Sequence, residues 1–182
     1  TTAIFSLMNS VVLSPLPFRD PDRLAIVQET VLQIRDRYPV LGANARSFDA
    51  WRRNCQSACA DFTALDTGNK TLTAADAEPE GLVGALVLPN IFDLLGIPPM
   101  LGRGFRAGDD TPASSKVVIL GHRLWQRRFG GRGDVIGRTI LLDGVAHEVV
   151  GVLPPAPRFP RFEQLLWAPG QAGEPEIFTP LV

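Results

Sequence analysis

Apolar, β-branched residues crowd into one short run, Val117 to Leu120, which stops at Gly121 and gives way to a different period. From Arg123 to Phe129, Leu124, Trp125 and Phe129 fall near one face of a helix, and Arg123, Gln126 and Arg127 fall toward the other. A short buried strand therefore hands over to an amphipathic helix, which the Gly130-Gly131 pair ends. Beyond that break the period shortens to two: Thr139, Leu141 and Asp143 alternate with Ile140 and Leu142. Asp143-Gly144 then leads into a second β-rich run, Val145 to Leu153, closed by Pro154-Pro155. Both central residues of a type I′ turn need positive φ, so an Asp-Gly pair between two such runs predicts a hairpin. Strand, helix and hairpin form a unit that cannot bury its faces alone, so the rest of the chain must supply partners.

Ahead of this unit the pattern is more broken. Arg23 to Glu29 reads as a first strand and Thr30 to Ala45 as loop. Ser47 is a candidate N-cap for a helix from Phe48 to about Asn54, with Phe48, Trp51 and Cys55 on one face. Ala60 to Leu65 and Lys70 to Ala75 read as short strands around Asp66-Thr67-Gly68-Asn69, a quartet rich in turn formers. Asp76, Glu78 and Glu80, interrupted by Pro79, read as an exposed bend. Leu82 to Leu88 is a buried-strand candidate, with Asn90 placed to cap a helix from Ile91 to Leu95 and Gly96 to stop it. Gly102 to Ser115 is a long polar loop. Near the end, Glu176 to Leu181 reads as an edge strand, because Pro180 cannot donate to a ladder.

The 182 residues, 45% hydrophobic and 20% charged, suffice for one sizeable core or two small ones. Sixteen prolines and seventeen glycines favour many turns and short elements, hence an α+β fold of mixed small sheets with short helices. A net charge of −1 and a pI near 6.1 provide no field for a polyanion. Arg123, Arg127, Arg128, Arg132 and Arg138 form the one basic cluster, but no aromatic run is interleaved with it, so it reads as a solvated helix face and not as a nucleic-acid site. The stretch Thr1 to Phe18 carries no charge and is mostly apolar, about the length of a membrane helix though weakened by Ser6, Asn9, Ser10 and Pro15. It has no basic leader and no cleavage site. Two readings stand: the outer end of a transmembrane helix whose start lies upstream of Thr1, or an amphipathic helix packed on the domain's own core.

The candidate chemistry is sparse. Gly102-x-Gly104-x-x-x-Gly108 and Gly131-x-Gly133-x-x-x-Gly137 resemble phosphate cradles, yet neither sits between a strand and a helix N-terminus, and neither leads into Lys-Ser or Lys-Thr. No cofactor is implied. Cys55 and Cys59, spaced C-x3-C, with the distant His122 and His147, do not supply the ligand count of a zinc site, so no metal is implied either. The two cysteines fit a disulfide if the domain lies outside the cytoplasm, and two small core residues if not. There is no G-x-S-x-G elbow, the serines nearest a histidine being Ser114 and Ser115 ahead of His122, and Asp109-Asp110 reads as a solvated turn. No catalytic constellation emerges, and an enzyme is not the expected class.

Five ordered segments carry a family resemblance: FSLMNSVVLSPLPFRDPDRL, SFDAWRRN, GALVLPNIFDLLGIPPMLGRGF, VVILGHRLWQRRFGG and DVIGRTILLDGVAHEVVGVLPP. Together they resemble the extracytoplasmic core domain of MacB/FtsX-type ABC transporter permeases, over nearly the whole chain. The resemblance implies that residues 1–18 are the outer end of a transmembrane helix. It also implies that residues 19–81 are the first half of a porter-like α/β lobe, and that residues 82–182 are a β-rich, Sabre-like lobe inserted in it. The half that completes the first lobe in relatives is expected to be absent from this chain. Implied partners are an ABC ATPase subunit or domain, a second permease copy forming a dimer, the membrane, and a periplasmic adaptor or other protein. The implied location is the cell membrane, with this domain on the extracytoplasmic, periplasmic side.

The expected function is to transmit ATP-driven conformational change across the membrane for export. The alternative is a membrane-anchored extracytoplasmic module that binds a peptide, lipid or protein. In the first case contacts are expected from exposed loops: Arg103, Asp109 and Asp110 in the loop from Gly102 to Ser115, and the turn Asp143-Gly144. Ordinary surface turns are the other reading of both.

Overall fold

The protein is described from a computed structural model, which covers residues 18, 20–27, 29, 36, 44–55, 59–74, 77–112, 114, 116–155 and 174–182. Among these residues, seven strands form one mixed sheet: β1 (Leu65–Ala74), β2 (Ala77–Val87), β3 (Leu101–Gly102), β4 (Val117–Leu120), β5 (Thr139–Leu142), β6 (Val145–Val152) and β7 (Ile177–Pro180). Three helices accompany them: α1 (Ala45–Asn54), α2 (Ile91–Leu95) and α3 (His122–Phe129). The fold is thus α+β, a mixed sheet with a few short helices. Among the described residues no helix is long and apolar enough to cross a membrane. The uncharged stretch proposed to do so lies, apart from Phe18, outside the described residues.

The strand-helix-hairpin unit forms as its pattern predicts. β4 is buried at all four positions because it lies inside the sheet, parallel to β6 and antiparallel to β7. Gly130 and Gly131 take positive φ at the end of α3. Asp143 and Gly144 have φ of 50° and 77°, the left-handed pair that a two-residue hairpin requires, and join β5 to β6 in register Leu142↔Val145.

The ladders close on themselves. β1 pairs with β2, β2 with β7, β7 with β4, β4 with β6, β6 with β5, and β5 returns to β1. The result is a six-stranded ring, and β3 adds to β6 beside it. Leu72, Leu82, Val118, Leu120, Ile140, Leu142, Val149, Val152 and Ile177 come from all six ring strands and share one apolar cluster, which is therefore the interior. Leu124 and Trp125 of α3 and Val135 join that cluster and close it over. The alternate residues Val117, Ile119 and Phe178 face outward, where Ile91, Phe92 and Leu95 of α2 cover them together with Phe105 and Phe18. Both faces of β4 and β7 are covered, so they read as continuous apolar runs, whereas β5 alternates because its outer face is exposed.

Several elements depart from the sequence reading for physical reasons. Ile177–Pro180 is not an edge strand: it lies between β2 and β4, and it is buried throughout. Pro180 is tolerated because the β4 pairing ends at Phe178, so no amide is demanded of it on that side, while Leu181 N donates to Val87 O just beyond. The Asp66-Thr67-Gly68-Asn69 quartet does not turn. It runs straight through β1 in register with Leu86, Ala85, Gly84 and Val83 of β2, long-range pairing having overridden local turn preference. Glu78, Pro79 and Glu80 are likewise strand and not bend, with Pro79 beside the register irregularity between Leu72 and Ala74, where a missing donor is tolerated.

In place of the strand expected from Arg23 to Glu29, a 3₁₀ turn at Pro21–Arg23 is followed by irregular chain over residues 24–27, where Ile26 and Val27 lie exposed. Helix α1 starts three residues earlier than Ser47 suggests. Asn44 is the cap: its Oδ1 accepts from Ser47 N at 3.0 Å, while its Nδ2 donates to Glu29. Asn90 does not cap α2, since its own backbone is already helical (φ −79°, ψ −3°). Its Nδ2 instead donates to Asp61 Oδ2 and Phe62 O. The division expected at residues 81/82 falls inside β2.

Candidate functional site

The loop after β3 is built around one carboxylate. Asp109 Oδ2 accepts from Arg103 Nη1 at 2.8 Å and from the Arg106 amide at 2.9 Å. Ser114 Oγ lies 3.0 Å from Asp109 O and 2.7 Å from Thr111 O, and Thr111 Oγ1 donates to Gly108 O, so the loop fastens itself. Phe105 anchors it in the outer apolar cluster, and Arg103 N donates to Val150 O of β6. Burial acts to raise the Asp109 pKa, but the Arg103 and Arg106 bonds and the charges of both arginines outweigh it and hold the carboxyl below its ordinary value. Arg103 and Asp109 therefore satisfy each other within the loop, and of the three proposed contact residues only Asp110 is left with a weak bond, from Gly108 N at 3.3 Å.

Because the Asp109 carboxylate holds both the Arg103 guanidinium and the Arg106 amide and its side chain is 14% exposed, Asp109→Asn is expected to cost about 1–3 kcal/mol. Asp110→Asn is expected to stay within about 0.5 kcal/mol of wild type. Urea denaturation of the two variants checks this, and equal losses would contradict the role given to Asp109.

Asp143 is also occupied. Its Oδ1 accepts from Thr71 N at 2.8 Å, its own amide donates to Thr71 O at 2.9 Å, and its Oδ2 pairs with Lys70 Nζ at 2.9 Å. The Lys70 bond, then the Thr71 bond, keep its pKa low against the effect of burial. Gly144 is exposed, and a Cβ there would meet nothing within 4 Å, so its left-handed φ is what selects glycine.

Close by, His147 Nδ1 donates to Val145 O at 2.9 Å. Its pKa is lowered, first by burial and then by the charges of Lys116 and Lys70, against the opposing effects of that bond and of Asp143. The folded chain thus resists a proton that the unfolded chain takes up at the ordinary value of 6.5. Stability is full above that value and is lost as pH falls from it toward the lower folded pKa. Denaturation midpoints measured from pH 7.5 to 5.5 are expected to fall, and His147→Gln to flatten that part of the curve; an unchanged slope would contradict the assignment.

The arginines of the basic cluster that lie on α3 form a clamp. Arg127 Nη1 meets Glu176 Oε1 at 2.9 Å and its Nη2 meets Glu80 Oε1 at 2.7 Å, bonds that raise its pKa. Arg128 Nη2 donates to Glu78 O at 2.7 Å, Arg123 pairs with Glu174, and Arg132 and Arg138 pair with Asp134. Arg127 and Arg128 thus tie α3 to β2, and Arg127 also ties it to the entry of β7, which a solvated-face reading misses. The acids lie 47 and 49 residues away in sequence, so no local pattern could pair them.

Cys55 and Cys59 are bonded as a disulfide with Cα atoms 5.5 Å apart, at the end of α1, where Cys59 N also donates to Cys55 O. Among the described residues no group of three or more His, Cys, Asp or Glu side chains converges on a metal-sized site.

This geometry is that of an interlocked scaffold with fastened loops. It is similar to the periplasmic region of MacB from Actinobacillus actinomycetemcomitans, with 14% identity and a TM-score of 0.57 over 86% of this chain and 63% of that one. The extracellular domain of the noncanonic ABC-type transporter YknZ from Gram-positive bacteria also matches, with 18% identity and a TM-score of 0.48 over 65% of this chain and 53% of that one. The chain therefore spans less than two thirds of the length of these solved domains. No curated protein matches it. The model of the MacB-like periplasmic core domain matches residues 1–181, and the chain belongs to that family.

Proposed function

We propose that this chain is the extracytoplasmic domain of an ABC transporter permease and that it passes ATP-driven conformational change across the membrane to drive export. Family membership over residues 1–181 carries the reading. The packing at the chain's entry favours it. Phe18 ends the uncharged apolar stretch and is 8% exposed, set among Ile91, Phe92, Phe105 and Phe178. A displacement of the preceding segment would be felt by the packed face of the ring, because close-packed interiors transmit strain instead of absorbing it.

In this reading residues 1–18 are the outer end of a transmembrane helix. Residues 19–81 begin a porter-like lobe, and residues 82–182 form a Sabre-like lobe that shares its sheet with β1. The partners are an ABC ATPase subunit or domain, a second permease copy and a periplasmic protein such as an adaptor. The fastened loop at residues 102–112 would meet that protein as a rigid unit, and Asp110, whose carboxylate accepts a weak bond from Gly108 N at 3.3 Å, is its least fastened acid.

The test is a distance measurement in the full-length permease assembled with its ATPase. A spin label at Glu148→Cys, exposed on β6, reports the separation of the two copies, while Cys55 and Cys59 stay bonded and unlabelled. The distance distribution is expected to shift between nucleotide-free and ATP-bound states. Identical distributions would overturn the coupling role.

A further inference from the structure

The ring has a seam. β1 and β5 meet at two register pairs, Leu72↔Leu142 and Thr73↔Leu141, as few as join β4 to β7, whereas β5 meets β6 at four and β1 runs beside β2 along nearly its whole length. Inside the ring the seam is faced by Leu72 and Leu142, both almost fully buried. Outside it, just past the end of β5, stands Asp143, one residue that spends three polar groups on β1. Its amide donates to Thr71 O, its Oδ1 accepts from Thr71 N, and its Oδ2 holds Lys70 Nζ.

The carboxylate here continues the ladder where the backbone cannot. Asp143 occupies the first position of the hairpin turn at φ 50°, so its chain is already turning away from β1, and a side-chain oxygen takes the Thr71 amide in place of a strand carbonyl. Without it, β5 would end beside an edge of β1 carrying an unmet donor.

We infer that Asp143 is a latch that closes the barrel along the β1–β5 seam, and that releasing it opens this seam locally while the β2, β7, β4 and β6 ladders stay paired. Local opening follows from where the two short ladders lie: β4 and β7 are buried at every position, whereas β5 is exposed at alternate positions and is held to β1 by two pairs plus this one residue. The inference concerns the barrel alone and stands apart from the transport reading.

Hydrogen exchange on the 182-residue chain tests it. Asp143→Gly removes the carboxylate without backbone strain, since glycine readily takes this positive φ, and Asp143→Asn keeps an acceptor and also tolerates it. In the glycine variant the amides of Thr73 and Leu141 are expected to exchange about tenfold faster or more, the factor that loss of one charge-assisted bond produces. Those of Ile119 and Phe178, across the ring, should keep their wild-type rates. The asparagine variant should show the same selectivity with a smaller factor, and serves alone should the glycine variant not fold. Acceleration at Thr71 only would mean a lost bond with no opening, and equal acceleration at all four amides would mean general destabilisation; either result overturns the latch.

Discussion

Truncating Trp125 to alanine is expected to lower the stability of the chain by about 3–5 kcal/mol. The side chain is 7% exposed and sits with Leu124 where α3 closes the interior of the ring. Two specific contacts add to its burial. Its Nε1 donates to Arg132 O at 2.9 Å, holding the turn after the Gly130-Gly131 break, and its ring meets His122 edge-on with centroids 5.5 Å apart. Alanine would leave a cavity and an unpaired carbonyl together. Trp125→Phe separates the two effects: it keeps most of the volume and loses the N–H, and should cost only about 1 kcal/mol. For a chain of this size the alanine variant should melt roughly 6–20 °C lower, read by circular dichroism. A loss below about 1 kcal/mol would mean that α3 does not close the core.

Gly102→Ala should be comparably damaging, by about 3–5 kcal/mol, through backbone and not through burial. Gly102 lies in β3 opposite Gly151 of β6, with φ of 74°. A Cβ there would run into Val150 O, approach Ile136 Cδ1 to 2.9 Å and reach Gly151 Cα at 3.1 Å. Left-handed strain costs about 1–2 kcal/mol and the overlap with β6 about as much again or more. Two residues on, Gly104 has no such φ, and an added Cβ would find nothing nearer than Pro99 Cγ at 4.0 Å. Gly104→Ala is therefore expected to change stability by no more than about 0.5 kcal/mol. Urea titrations of the pair read the contrast, and similar midpoints for both variants would contradict the close approach of β3 to β6.

What was legible in the sequence was what local chemistry decides. Val117 to Leu120 could only be a buried strand, and Asp143-Gly144 had the residue types for positive φ at two successive positions. Leu124 and Trp125 declared the buried face of α3. The failures within the sheet and at its clamp share one cause, which is pairing across long stretches of chain. Gly68 and Asn69 look like a turn until β2 lies beside them, and Pro180 looks like an edge marker until its unused amide position is seen to fall where the β4 ladder has already ended. Arg127 reads as a solvated cation because Glu80 and Glu176 are remote in sequence. Asp143 reads as a partner-facing or ordinary surface turn for the same reason, its neighbours Lys70 and Thr71 lying some 72 residues earlier on a strand that only closure of the ring brings alongside.

The candidate contact residues teach a related lesson. Length and polarity marked the loop after β3 as a surface for partners, yet Arg103 and Asp109 are committed to each other and to the loop's own amides. Such a loop can present a defined shape, and its charges serve that shape first.

The central claim, that this MacB-like periplasmic core domain works outside the cytoplasm as part of a membrane permease, is tested most directly by the topology of the intact gene product. Reporters active only outside the cytoplasm are inserted beside Arg19 and directly after Val182. Activity at both positions is the predicted result. Activity at neither would place the domain in the cytoplasm and contradict the account.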